Sequence, residues 1–180
     1  MPSNPEAAKK MKKKLLTLVL IVQKNSESSP GKILLGEKKR GFGAGFFNGF
    51  GGKVEPGESI IDAAHRELEE EAGIQALDMS RQGMLHFTFK EPEMNPMEVH
   101  VYKATQFKGE ILESEEMRPF WHDLKDPLPY DKMWADDIYW YPSFLKGEKF
   151  IGKYGFRNTT ELVDTELEIV KDLPTVEGAE

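Results

Sequence analysis

The chain has 180 residues, which at about 150 residues per domain leaves room for one core and not for two. Apolar residues make up 39% of it, and with Gly 16 the balance is that of an ordinary globular domain, excluding a fibrous repeat or a wholly disordered chain. The net charge is −7, and the body beyond the lysine-rich first 14 residues is more acidic still, so broad binding to a nucleic-acid polymer, which needs a basic face, is excluded.

Residues 1–14 read as a disordered lysine-rich tail, residues 15–171 as the domain and residues 172–180 as an acidic tail. The tail lysines suit a mobile arm, with a nuclear address or a phosphate-attracting arm as alternatives. Leu15–Val22 is an apolar run far short of the roughly 20 residues that span a bilayer, so it predicts a buried strand and no membrane. A Ser/Pro/Gly loop and the run Ile33–Leu35 complete a hairpin. The segment from Gly36 to Gly57 is crowded with glycines interleaved with Lys38, Lys39, Arg40 and Phe42, Phe46, Phe47 and Phe50. That pattern predicts backbone brought close to a ligand or turned tightly.

Ser59 as N-cap, Asp62 three residues on, and Gly73 after Ala72 predict a helix over Ile60–Ala72, with Ile61, Ala64, Leu68 and Ala72 facing a core. Alternation predicts strands at Leu85–Phe89 and Met97–Val101, joined around Pro92–Pro96. Ile111–Trp121 reads as strand at its ends around an acidic turn, Asp136–Lys146 as a second helix despite Pro142, and Phe150–Phe156 with Leu162–Val170 as a closing pair. Asp172–Glu180 is expected to fray. Strands mixed with two helices predict an α/β or α+β sandwich. Cys 0 removes disulfides, thiolate nucleophiles and sulfur-built zinc sites. It suits a reducing compartment. His65, His86, His100 and His122 form no metal-ligand spacing, and no oligomer seam is evident, so a monomer is expected.

Glu67, Glu69, Glu70 and Glu71 crowd the last turns of the first predicted helix, where the macrodipole disfavours carboxylates. At about 100° per residue, Glu67, Glu70 and Glu71 share one face and Glu69 does not. Clustered carboxylate oxygens suit a hard divalent cation such as Mg²⁺ or Mn²⁺. A solvated acidic face is the plainer account, but the glycine-rich segment just upstream favours the cation. Lys38 and Lys53 stand ready for sugar or phosphate oxygens, with surface solubility as the alternative, and the backbone of Phe50, Gly51, Gly52 and Lys53 is free of side-chain bulk. Trp134 offers a flat face for stacking a base, and Asp136 and Asp137 offer carboxyls for its edge, although two acids at a helix N-terminus also satisfy its dipole, the ordinary structural account. Two buried neighbouring carboxyls repel, so one is expected to stay protonated near neutral pH.

Gly52, Glu58, Arg66, Glu67, Leu68, Glu70, Glu71, Gly73 and Ile74 match the Nudix box at every fixed position. On these residues the chain resembles Nudix hydrolases. The resemblance implies a Nudix-type α/β/α sandwich with a mixed central sheet and a loop–helix–loop catalytic motif, and Mg²⁺-dependent hydrolysis, with Mn²⁺ as substitute.

From about Leu15 to Val170 the chain is similar to the family branch that acts on damaged purine nucleoside triphosphates. Segments such as Asn48–Val54, Glu116–Pro119 and Met133–Trp140 carry this similarity. Phe46–Phe47 stand where that branch commonly has Arg-Trp, and Ala135 replaces a usual proline. The resemblance implies oxidised purine triphosphates such as 8-oxo-dGTP or 2-oxo-dATP as substrates, cleaved to monophosphate and pyrophosphate. It implies metal ligands at Glu67, Glu70, Glu71, Glu116 and the Gly51 carbonyl, with Glu71 activating water and Glu116 its rival for that role. Arg66 is expected to hold Glu58 by a bidentate pair. The resemblance further implies polar contacts from Thr17 and Asn48 and pocket walls at Phe87 and Met97, although packing alone accounts for the last two. Another Nudix substrate, such as a dinucleoside polyphosphate or ADP-ribose, and a non-catalytic nucleotide-binding module are the alternatives. The expected location is cytoplasmic, with nuclear or mitochondrial traffic open.

Overall fold

The computed structural model describes residues 12–180, and the expectation of a disordered arm falls largely on residues outside these. The described end of that arm is engaged: Lys13 pairs with Glu98, and Lys14 opens the first strand. In chain order the elements are β1 (Lys14–Gln23), β2 (Lys32–Lys38), β3 (Phe47–Asn48), α1 (Ile60–Ala72), β4 (Ile74–Ala76), β5 (Ser80–Phe89), β6 (Met97–Ala104), β7 (Phe107–Gly109), β8 (Met117–Asp123), α2 (Asp137–Leu145), β9 (Lys149–Arg157) and β10 (Glu161–Val170). No helix among the described residues is long and apolar enough to cross a membrane.

Eight strands form one mixed sheet in the order β10-β9-β5-β6-β1-β2-β3, with β8 also paired to β2, while β4 and β7 make a separate two-stranded ribbon. β1 runs parallel to β6 and β5 parallel to β9; the remaining pairs are antiparallel. Because strand side chains alternate between faces, β1 divides its apolar residues between two cores. Leu18, Leu20 and Val22 join Trp140, Tyr141 and Phe144 of α2 on one face. Val19 and Ile21 join Ala64, Leu68 and Ala72 of α1 on the other. This is the expected α/β/α sandwich.

α1 has the predicted bounds for the predicted reasons. Ser59 accepts a hydrogen bond from the Asp62 amide, and Gly73 ends the helix at φ 74° with its N–H donated to the Glu69 carbonyl. Two expectations are corrected. The Ile111 end of the predicted Ile111–Trp121 pair is not a strand, and pairing with β2 begins only at Met117. The Asp172–Glu180 stretch does not fray: Ala179 is fully buried, Val176 packs on the α1-side core, and the Tyr102 hydroxyl donates to the Ala179 carbonyl at 2.7 Å.

Candidate active site

A cavity of about 230 Å³ opens on the α2 face of the sheet. Its floor is apolar, from Leu16, Leu18, Leu85 and Val99, and Gly51, Gly52 and Glu71 close one end. Asn48 and Lys38 also line it, as do the expected walls Phe87 and Met97, with Trp134, Asp136 and Asp137. Thr17 lines it too; its hydroxyl is buried without a hydrogen-bond partner.

At the glutamate end, the Gly51 N–H donates to Glu71 Oε2 at 2.9 Å, and Gly52 lies so close to Glu67 that an added Cβ would stand 2.5 Å from its Oε1. Burial pushes Glu71 up to about 7, against the Gly51 N–H and the charge of Lys38, while the charges of Glu67 and Glu116 push the same way as burial. Burial also raises Glu67, opposed by Arg66. Arg66 holds Glu58 as expected, donating from Nε at 2.7 Å and from Nη2 at 3.0 Å. It also bridges Glu67 and Glu70 through one Nη1, at 3.0 and 3.2 Å. Glu116 comes from the loop before β8, which β2–β8 pairing brings beside Lys38. Its hydrogen bond with Arg40, at 2.8 Å, holds it below the usual carboxylate range.

The four glutamates are therefore neighbours but not a preformed ligand set. Among the described residues no three carboxylate or imidazole side chains close into a metal-holding group, because Glu67 and Glu70 share the Arg66 cation and Glu116 is paired with Arg40. The donor set, all carboxylate oxygen with two members desolvated, has the chemistry a hard divalent cation selects. Phe50 and Lys53 are corrected. The Phe50 ring is fully buried on the α1 side, and both its N–H and its carbonyl are spent on Val19. Lys53 lies outside the cavity with its carbonyl accepting from Arg66 Nη2.

At the other end, Asp136 and Asp137 are each 3% exposed. Asp136 Oδ2 accepts from Trp140 Nε1 at 3.0 Å and Asp137 Oδ2 from the Trp134 N–H at 3.2 Å. Burial raises both: Asp136 to about 6, and Asp137 well above the carboxylate range with the Asp136 charge adding to the effect. One face of Trp134 is already covered by Phe42, stacked at 5.1 Å, and Phe46 meets the ring edge-on at 4.8 Å. The loop can approach this closely because Gly43, at φ 85°, has no Cβ; one would stand 2.8 Å from the indole. In the sequence Phe42 and Phe46 stand out only as part of a glycine-rich run, with no role in the pocket assigned to them. Their interleaving with glycines was the available signal. Nothing in the sequence separated Leu16, Leu18, Val99 or Trp140, which also line the cavity, from ordinary core.

A cleft with a carboxylate-bearing helix and close-approaching glycines at one end, and an aromatic and acidic grip at the other, is the site of a Nudix hydrolase. The NUDIX domain model matches residues 14–144, and the chain belongs to the Nudix family, whose members work with a divalent metal ion. It is 48% identical over 161 residues to the oxidized purine nucleoside triphosphate hydrolase of Danio rerio, covering 89% of this chain and 97% of that one. It is 44% identical over 155 residues to the Mus musculus protein of the same name, covering 86% and 94%. Among solved structures, a MutT protein from Bacillus halodurans superposes with a TM-score of 0.73 at 27% identity, covering 86% of this chain and 97% of its own.

Proposed function

We propose that the protein hydrolyses oxidised purine nucleoside triphosphates, 8-oxo-dGTP and 2-oxo-dATP among them, to monophosphate and pyrophosphate with Mg²⁺ as the working ion. The observation that carries this reading is a single cavity joining Glu71, and Gly52 with Glu67 packed behind it, to the paired carboxyls of Asp136 and Asp137. The two similar animal proteins, named for this activity and matched along nearly their whole length, support it.

Glu67, Glu70, Glu71, Glu116 and the Gly51 carbonyl are the residues that would hold the ion, which when bound neutralises phosphate oxygens and acidifies water. Within this chain, Glu71 is the glutamate that lines the cavity, which places it to draw a proton from attacking water. Arg66 keeps the glutamate face in register by tying Glu58 of the preceding loop to Glu67 and Glu70. Lys38, lining the cavity beside Glu71, is placed for phosphate or sugar oxygens.

At the base end, Asp137 keeps its proton and donates while Asp136, the lower of the pair, accepts or donates as the pH dictates. With Asp137 donating, an Asp136 that gains or loses its proton lets one pocket present either pattern to an oxidised guanine or an oxidised adenine. Asn48 adds a further donor and acceptor, and the open part of Trp134 takes the base plane.

The test is a Mg²⁺-dependent screen of normal and damaged nucleoside triphosphates, dinucleoside polyphosphates and ADP-ribose, with products separated chromatographically. The proposal expects oxidised purine triphosphates to be cleaved well ahead of the rest. Preference for ADP-ribose or a dinucleoside polyphosphate would refute the substrate, and no hydrolysis of any would favour a binding module.

A further inference from the structure

We propose that residues 174–180 act as a strap that positions the first turn of α1, and through it the glutamate face, so that the segment supports the reaction without touching the substrate. The stretch is acidic and carries Pro174 and Gly178, a composition that predicts solvation. It is instead tied down along its length, on the side of the sheet that carries α1.

Arg81 of β5 is the first anchor. Its side chain is only 2% exposed, and a buried guanidinium requires oxygens around it. The strap supplies them: Arg81 Nη2 donates to the Pro174 carbonyl and pairs with Glu180 Oε1, both at 2.6 Å. Tyr102 of β6, fully buried and opposite Arg81 in the register, donates its hydroxyl to the Ala179 carbonyl. Between these anchors Val176 and Ala179 join the core that holds Ala64 and Leu68 of α1.

The strap then reaches the helix itself. The first amides of an α-helix have no partner within it and must be satisfied from outside. Ser59 takes the Asp62 N–H, and the Gly178 carbonyl takes the Ile61 N–H at 2.9 Å. Gly178 adopts φ 72°, and a Cβ there would stand 3.1 Å from Ser59 Cβ, so the strap lies directly on the loop–helix junction. The residue before Ser59 is Glu58, whose carboxylate fixes Arg66, and Arg66 in turn fixes Glu67 and Glu70. β5–β6, the strap, the junction and the glutamate face form one continuous chain of contacts.

This proposal rests on the reading of the α1 glutamates as metal-holding residues, and two measurements separate the two ideas. The variants are a chain ending at Leu173 and, should that fail to fold, Gly178→Ala in the full chain. The first measurement is amide hydrogen exchange at Ile61, which needs no substrate or metal. The second is the Mg²⁺ concentration giving half-maximal hydrolysis, read beside KM for the nucleotide. The expected result is exchange at Ile61 faster by about tenfold or more in a folded variant, with the Mg²⁺ requirement raised severalfold and KM within about twofold of wild type. A strap that served stability alone would lower the folded fraction and leave the Mg²⁺ requirement of the folded fraction unchanged. Ile61 protected as in the wild type, or an unchanged Mg²⁺ requirement once Ile61 is exposed, would overturn the proposal. A wild-type chain that hydrolysed no nucleotide would instead defeat the functional reading, leaving the exchange result to judge the contact with α1.

Discussion

Replacing Asp136 with asparagine should make the protein more stable and narrow its range of oxidised purines at once. Asp136 is 3% exposed and its carboxyl is raised to about 6 from 3.8, burial being the main cause. A carboxyl that holds its proton more tightly when folded favours folding below its unfolded pKa, and that contribution is lost as pH rises through the folded value. About two pH units correspond to about 3 kcal/mol against folding at neutral pH. The asparagine side chain would carry no charge, its Oδ1 would still accept from Trp140 Nε1, and it would relieve the repulsion that helps to hold Asp137 protonated. Asp136→Asn should therefore exceed the wild type at pH 7.5 by about 2–3 kcal/mol, a Tm rise of roughly 4–12 °C for a chain of this size. The gap should shrink towards zero near pH 4. Thermal melts followed by circular dichroism at several pH values read this directly. Turnover of 8-oxo-dGTP and 2-oxo-dATP should change in ratio, because an asparagine cannot gain or lose a proton. A variant less stable than the wild type at pH 7.5, or more stable by the same amount at every pH, would refute the reasoning.

Adjacent glycines should respond in opposite ways. Gly52→Ala displaces the flexible Glu67 carboxylate and should preserve the fold while cutting turnover by about a hundredfold or more, whereas Gly51→Ala meets the Thr17 backbone and should fail to fold; soluble yield and steady-state rates distinguish them. Thr17→Val removes a buried hydroxyl that has no partner and should raise stability by about 1 kcal/mol in denaturant titrations, while raising KM because the hydroxyl is reserved for substrate. Arg66→Ala strands Glu58 and Glu67, both mostly buried, and should cost about 2–4 kcal/mol by the same titration.

The catalytic helix was legible because its signals are local. Ser59 and Gly73 mark its ends, and four carboxylates placed against the macrodipole, three of them on one face, mark a purpose beyond stability. The Asp136–Asp137 pair carried only a weak signal, since two acids at a helix N-terminus satisfy its dipole, and its reading as a base contact rested on resemblance. Glu116 had no spacing of its own to reveal it; only the pairing of β2 with β8 brings it across the cleft, and its place rested on resemblance. Phe50 misled because a residue flanked by glycines reads as open loop, while its bridge to Val19 uses both backbone groups. The strap was illegible because backbone carbonyls at Pro174, Gly178 and Ala179 do much of the holding, and carbonyls carry no sequence signature. β3, β4 and β7 are too short for alternation to register.

The central claim is that the α1 glutamates, paired with Arg66 in part, yield to a divalent ion. Titrating Mn²⁺ into the protein and following free Mn²⁺ by electron paramagnetic resonance tests it most directly. The account predicts saturable binding by the wild type, weakened by about tenfold or more in Glu67→Gln and in Glu71→Gln with the fold intact. Equal binding by all three proteins would place the metal elsewhere and contradict the account.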